Sequence, residues 1–584
     1  MVDASSAVHD STPRPVRRRE ATPAALASLP AGLHPVLRRV LAARHVTPAE
    51  LEPSLPRLIP VGTLPGIDAA VERLMRARAD GERVVIVGDF DADGATATAL
   101  MVRCLRAFGY GRVGFLVPDR LRFGYGLSPG VAEVAAVGGP GLLVTVDNGI
   151  ASVEGVARAA ALGLDVVVTD HHLPGTTLPA AAAITGPTVP GTTFASPSLC
   201  GVGVAFYVLA ALGRALAAAG LCSAEVARRA VTAGLDLVAL GTVADVVALD
   251  FNNRILVAEG LRRIRSGRCS PGIAALFAVA GRDTAAATAA DLGFAIAPRL
   301  NAAGRLADMT VGVQCLLADD PARARTLAAQ LHALNAERRE LQARTEAEAL
   351  ALLGDLAELP RALDNAAVTL FDESWHPGIV GLVAGRLRER SGRPAVAFAR
   401  DPGSGMLRGS ARSVPGVHIR DCIAAALREV SDGAVRFGGH AMAAGLTLPE
   451  ALLPGFRAAL SAEVHRYDEV IAAGDAVWTD GPLDAADLTP EFAEVLAAAG
   501  PWGSAFPEPL FDNTFEVLRE GVVGGSHLRL TVRHPGGGDP VGAIAFGMAA
   551  RSPLPREARL VYRLEVDRWR QRRAAQLVVE AVLA

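Results

Sequence analysis

Asp89, Asp91 and Asp93 stand at alternate positions in Gly88-Asp-Phe-Asp-Ala-Asp-Gly94. Three carboxylates within five residues repel one another, and a fold keeps them together most readily by neutralising them with a cation. Hard divalent metals with oxygen ligands suit that role. Taken alone, the triplet is equally compatible with a solvated acidic turn. The same kinds of residue recur downstream. Asp147-Asn148-Gly149 follows, then Asp170-His171-His172, then Asp245 in the otherwise apolar Gly241-Thr-Val-Ala-Asp-Val-Val247. An acid in such a stretch needs a partner, because a buried unpaired carboxylate is strongly unfavourable, and a metal would serve. A lone histidine is more often a satisfied core residue than a ligand. Two adjacent histidines directly after an aspartate and a run of β-branched residues favour ligation.

The elements that must position these groups are visible in the residues before each of them. Val84–Val87, Leu142–Val146 and Val166–Thr169 are short β-branched or aliphatic runs that read as buried strands, and Val113–Val117 is another. Helix-like segments lie between them, Ala95–Val102 among these, and further helical segments around Val202–Ala219 and Ala224–Leu240 lead to Asp245. This alternation predicts a parallel α/β sheet whose ligands collect at the carboxyl ends of its strands. Three acidic strand ends in register at one edge are hard to explain as surface decoration. Between two of the strands, residues 118–126 form a loop carrying Arg120, Arg122 and Tyr125. Residues 20–80 read as a helical cap without chemistry.

The chain has 584 residues, enough for several domains, with a formal charge of -3 and a pI near 6.5. No global basic field attracts nucleic acid, so any such partner must be held by local patches. The sequence contains no lysine; all 58 basic residues are arginine, and each can make bidentate contacts with phosphate. Six cysteines are scattered without C-x-x-C pairs, which points to a reducing, cytoplasmic setting. The N-terminus lacks an apolar signal core, and the apolar run from Gly201 to Arg214 is too short to span a bilayer. A soluble protein is expected.

Beyond residue 310 the pattern changes. Residues 311–353 read as long helix broken near its start by Pro321, a strut between two lobes with a groove between them. A second α/β unit follows, with strands at Ala366–Phe371 and Ala395–Phe398. It carries the donor-bearing glycine turns Gly409-Ser410-Ala-Arg412-Ser413 and Gly438-Gly439-His440, suited to close approach of backbone to phosphate. Trp375-His376-Pro-Gly378 reads as structural packing. Five short alternating runs, Phe511–Val517, His527–Val532, Val541–Phe546, Arg559–Val566 and Ala575–Val582, predict a small β-barrel. Trp478, Trp502, Arg529, Arg533, Arg563 and Trp569 could supply stacking and charge there, with buried core as the alternative for each tryptophan.

These motifs, in this order, resemble the DHH phosphoesterases and within them the RecJ single-strand-specific exonucleases. The resemblance continues through Ala297-Pro-Arg299-Leu-Asn301-Ala-Ala-Gly304-Arg305 and covers nearly all of the chain beyond residue 30. It implies an α/β fold: a parallel-sheet DHH domain and a smaller α/β DHH-associated domain joined by a long helix, with a C-terminal OB-like barrel. The expected boundaries are a disordered tail (1–30), the catalytic domain with its helical cap (31–310), the connecting helix (311–360), the DHH-associated domain (361–465) and the OB-like domain (466–584).

The resemblance further implies a metal-dependent 5′→3′ exonuclease that hydrolyses single-stranded DNA to 5′-mononucleotides in repair and recombination. Two Mn²⁺ or Mg²⁺ ions per active site are implied, with Asp91, Asp93, Asp147, His171 and Asp245 as ligands. Asp89 is a further acid there, and His172 faces the scissile phosphate. Two metals about 4 Å apart need a bridging carboxylate, and Asp147, alone on its strand end, is the natural bridge. Arg120, Ser410 and Arg412 resemble a 5′-phosphate pocket, with Tyr125, Arg299, Arg305 and His440 as further DNA contacts. Single-stranded DNA is the implied partner, with a single-strand-binding protein and a helicase as candidate associates, and the expected state is a monomer without membrane contact. Gly186-Pro187, Gly503-Ser-Ala-Phe506-Pro and Arg529 depart from the family's usual residues, and none is a metal ligand. Two rival readings remain. One is a DHH phosphodiesterase for cyclic dinucleotides or short oligonucleotides, which the barrel argues against. The other is a non-catalytic single-strand-binding scaffold, which the intact set of acids argues against.

Overall fold

The computed structural model describes residues 15–354, 365–401, 405–431, 435, 437–439, 441–474, 476–567 and 573–583. The chain divides into two compact units, each assembled from separated stretches. One comprises Pro23–Arg338 with Val495–Glu508; the other comprises Met1–Thr22, Arg339–Glu494 and Pro509–Ala584.

The first unit is built on five parallel strands: β1 (Val84–Gly88), β2 (Val113–Leu116), β3 (Gly141–Val146), β4 (Leu164–Thr169) and β5 (Ala183–Thr185), in the order β2-β1-β3-β4-β5. All of β1 is buried, as expected of a β-branched run covered on both faces. The order changes direction between β1 and β3, which is where open α/β sheets bind ligands. Register puts Gly88 beside Val146 and Val146 beside Thr169, so three strands end in one row. Helix α1 (Ala92–Ala107) leaves the end of β1, and α2 (Gly201–Ala218) and α3 (Leu235–Ala244) pack against it. The apolar run expected to stop at Arg214 continues to Ala218. It thereby reaches a length and composition that could cross a membrane, yet 67% of it is buried inside the fold, as in a core helix.

Val495–Glu508 returns to this unit. Leu249 N donates to Ser504 O at 2.8 Å. Trp502 stacks on Phe506 at 4.9 Å and donates from Nε1 to Leu496 O, while the Arg254 guanidinium lies 4.2 Å from the centre of the Phe506 ring. Trp502 is therefore packed within the first unit and not offered by the barrel, where the sequence pattern suggested it.

In the second unit, β6 (Val368–Phe371), β7 (Ala395–Arg400), β8 (Leu407–Arg412), β9 (Phe437–Gly439) and β10 (Ala443–Leu448) form a mixed sheet in the order β9-β10-β8-β7-β6. Gly409-Ser410-Ala-Arg412, expected to be a turn, is strand β8. A Cβ on Gly409 would lie 2.4 Å from the Phe398 ring, so this glycine makes room for packing. Trp375 lies in the core of this unit, as its packing role requires. The helical stretch before the sheet is split into Thr310–Leu317 and Pro321–Gly354, with Pro321 starting the second piece.

The barrel strands are β11 (Phe511–Val523), β12 (His527–Arg533), β13 (Val541–Ala545), β14 (Glu557–Asp567) and β15 (Ala574–Leu583). They close in the order β11-β12-β13-β15-β14, with β13 and β15 parallel. Phe511, Phe515, Leu528, Leu530, Val532, Leu560 and Leu577 fill the interior. Trp569 lies outside the described residues, and Trp478 sits on a separate short strand, Val477–Thr479. That strand pairs in parallel with Val16–Arg18, and Pro23–Ser28 is helical, so structure begins well before residue 30, where a disordered tail was expected. Charge explains the attachment. Asp512, buried to 1% exposure, accepts hydrogen bonds from Arg18 (2.9 Å), Arg559 (2.6 Å) and Thr479 (2.6 Å).

Candidate metal centre

The row of strand ends brings the expected acids together. Asp91 caps α1, its carboxylate accepting from Gly94 N at 2.9 Å. Asp93, 1% exposed, accepts from Gly201 N (2.7 Å) and Val202 N (2.9 Å), so the N-terminus of α2 holds it in place. Asp147 follows β3 with φ +62°, a left-handed conformation that aspartate tolerates. Asp245 ends α3, and the next residue, Val246, has φ +60° and is 69% exposed, a strained position for a β-branched side chain. Three groups have ligand atoms within 4.8 Å of one another: Asp89, Asp91 and Asp147; Asp147, His171 and His172; and Asp93, His171 and Asp245. Asp147 and His171 each belong to two of these groups.

The electrostatics describe a cation site. Burial, then the neighbouring Asp91, pushes the carboxyl groups of Asp89 and Asp93 up to about 7. Burial and Asp93 push Asp245 to about 8, and Asp147 is raised well above its ordinary value by burial and the surrounding acids. Burial, reinforced by His172, lowers His171 to about 4, so its imidazole is neutral and fit to ligate. His171 Nε2 lies 3.0 Å from Asp147 Oδ1 and 3.5 Å from Asp245 Oδ2. Nε2 and Asp147 Oδ1 are both buried, yet among the described residues neither makes an aligned hydrogen bond. Two orphaned ligand atoms facing one another among acids fit a shared cation. The oxygen-rich set with one or two imidazoles suits Mn²⁺ or Mg²⁺.

His172 differs from His171. Desolvation would lower it, but the hydrogen bond and charge of Asp170 outweigh that and raise it. For Asp170, burial acts upward, and His172 with the backbone amides of Ile150 and His172 holds it below the usual range. An ionised Asp170 can only accept, so His172 Nδ1 donates to it, at 2.8 Å. The Tyr125 hydroxyl stands 3.0 Å from the same nitrogen and donates to Asp147 O at 3.2 Å.

Asp170 was read from the sequence only as part of the acid–histidine run, and its place directly before the two histidines was the available signal. Asn301 and Gly304 had none beyond their motif. Asn301 Oδ1 accepts from Ala92 N at 2.8 Å, and a Cβ on Gly304 would collide with Phe90 O, so their helix, α4 (Ala297–Leu306), lies directly on the acid loop. Arg305 is exposed at the end of α4. Arg299 is 8% exposed and donates to Ala295 O and to His332 Nδ1.

Arg120 begins a short helix, Arg120–Phe123. In the second unit, Arg412 donates to Ser410 Oγ at 3.0 Å, and burial, then Arg388, lowers its pKa. A Cβ on Gly381 would meet the Arg412 guanidinium at 3.0 Å and Ser410 Oγ at 3.3 Å, so that glycine keeps the pair open. His440 lies outside the described residues.

A five-stranded parallel sheet with acids and histidines on three adjoining strand ends, followed by a smaller α/β unit, defines a DHH-type phosphoesterase. Residues 83–242 match the DHH family N-terminal domain, 364–466 the DHHA1 domain and 479–581 the RecJ OB domain. The single-stranded-DNA-specific exonuclease RecJ of Salmonella typhimurium is 47% identical over 575 residues, which cover 97% of this chain and 99% of that protein. Crystal structures of RecJ from Thermus thermophilus also align with this chain. The Mn²⁺ complex does so with a TM-score of 0.75 at 31% identity, over 98% of this chain and 79% of that one. The Mg²⁺ complex does so at 0.71 and 29%, over 98% and 78%. The chain belongs to the RecJ family of single-stranded-DNA-specific exonucleases.

Proposed function

We propose that this metal-dependent exonuclease of single-stranded DNA acts from the 5′ end and releases 5′-mononucleotides in repair and recombination. The observation that carries the reading is the Asp147–His171 contact, two orphaned ligand atoms shared between three groups of acids and histidines. Asp91, Asp93, Asp147, His171 and Asp245 would hold two Mn²⁺ or Mg²⁺ ions, with Asp147 between them and Asp89 beside it. When bound, such a pair lowers the pKa of a water to make the nucleophile and neutralises charge on the phosphate oxygens.

The remaining work falls to side chains. Asp170 fixes His172 by its Nδ1 and raises its pKa, which favours the protonated ring whose Nε2 can donate to a phosphate oxygen. Tyr125, with its hydroxyl 3.0 Å from Nδ1 and 3.3 Å from Nε2, also braces the imidazole and offers an exposed ring to the strand. Arg412 and Ser410 would receive a phosphate of the strand, and Arg305 would meet the backbone near the acids. Arg299 is the weaker candidate, because its guanidinium already donates within the fold. The barrel presents Arg529 and Arg533 on its outer face for strand binding.

Two substitutions test the assignment. Asp147→Ala should abolish cleavage of single-stranded DNA at saturating Mn²⁺ in a folded protein. His172→Ala should lose turnover and keep both metal equivalents. Substantial residual cleavage in the first, or loss of a metal in the second, would refute the roles given.

A further inference from the structure

Phe294 is 87% exposed, although a phenylalanine is ordinarily buried. It is carried on a single π-helical turn, Asp291–Ile296, an irregularity that proteins often place at functional sites. The turn is firmly held. Leu292 and Ile296 are fully buried, and Asp291 accepts hydrogen bonds from Thr288 N and Oγ1 at 3.0 and 2.8 Å. Only the ring is turned outward.

The turn that carries it borders two elements of the metal centre, α3 and α4. A Cβ on Gly293 would stand 3.2 Å from the Val243 side chain, two residues before Asp245. The turn runs directly into α4, which touches the acid loop through Asn301 and Gly304.

We infer that Phe294 is a stacking platform for a nucleobase of the strand entering the metal centre, an inference that rests on the single-strand exonuclease reading. One aromatic ring on a rigid turn falls far short of the area a protein partner needs. It does match what one base needs, because every base has a flat face and stacking is indifferent to sequence. Such a platform would position the substrate and take no part in bond cleavage.

The test uses the full-length protein. Phe294→Ala should raise the KM for a single-stranded oligonucleotide about 5- to 150-fold, the range expected for losing one stacked base, with kcat changed less than about twofold and the melting temperature unchanged. Phe294→Trp should restore the KM. One abasic residue is then walked through the substrate. The wild type should show a penalty at one position relative to the cut, and Phe294→Ala should show none there. A 2-aminopurine at that position should be quenched by the wild type, without metal, and not by Phe294→Ala. Unchanged KM, or a raised KM with the wild-type abasic profile intact, would overturn the stacking role while leaving the exonuclease reading in place. A wild-type chain that neither binds nor cuts single-stranded DNA would overturn that reading and this one together.

Discussion

Gly201 offers a sensitive test of how closely the metal centre is fitted. It is the first residue of α2 and donates its amide to Asp93 at 2.7 Å. A Cβ added there would fall 2.5 Å from Asp147 Cβ and 2.6 Å from its Oδ1. Ordinary contact begins near 3.4 Å, so the carboxylate or the helix must withdraw by about 1 Å. Asp147 has little freedom to yield, since it is held at φ +62° and its amide donates to Thr169 O at 3.0 Å. A misplacement of about 1 Å in a catalytic constellation typically lowers rate about 10²-fold, which is about 2.7 kcal/mol of barrier. Overpacking should also destabilise the fold by about 1–3 kcal/mol. Gly201→Ala should therefore remain folded but turn over about 100 times more slowly at saturating Mn²⁺, with weaker binding in a Mn²⁺ titration. Gly62→Ala, where no atom lies within 4 Å of the new methyl, serves as the control and should match the wild type. Turnover within about threefold and unchanged metal affinity in Gly201→Ala would refute the tight coupling of α2 to Asp147.

Arg412→Ala should reduce the preference for 5′-phosphate over 5′-hydroxyl ends; an unchanged preference in competition assays would place the terminal phosphate elsewhere. The raised carboxyl groups set a pH dependence. Asp89 and Asp93 (about 7) and Asp245 (about 8) retain protons that the unfolded chain has already released, so the metal-free protein loses stability as pH rises from about 4 to 8. His171, lowered to about 4, opposes this by one proton only. Metal must displace those protons, so Mn²⁺ affinity should climb over the same interval; a metal-free protein that resists denaturation better at pH 8 than at pH 5.5 would contradict the shifts. Arg529, exposed on β12, should contribute one phosphate contact, so Arg529→Ala should weaken strand binding and reduce the salt slope by about 1, with kcat preserved.

The acids at Asp89–Asp93, Asp147 and Asp170 were readable from sequence because a parallel sheet delivers such groups at strand ends and each follows an aliphatic run, while Asp245, at the end of helix α3, showed as an acid in an apolar stretch. Other features were not. Gly201 and Gly241 lie against Asp147 and Asp93 through contacts between distant segments, which leave no local pattern. The strand β8 was read as a turn because its glycine has a packing purpose. Trp502 was assigned to the barrel by its neighbourhood in sequence, whereas Phe506 and Arg254 draw its segment into the first unit. Phe294 sits among apolar residues, and only the fold reveals that it is the one turned outward.

The interleaving of the two units bears on how the chain can be made. Val16–Arg18 leaves the ribosome early, yet its partner strand is Val477–Thr479, and Arg19 meets Asp480 461 residues away. At about 5–20 residues per second of synthesis, that strand waits roughly 20 to 90 s for its partner. The first unit likewise stays incomplete until Val495–Glu508 emerges, although its parallel sheet was finished some 300 residues earlier. Neither unit can close while the chain is growing through the other, so both must be completed near the end of synthesis, and a ribosome stalled near residue 465 would hold two unfinished units.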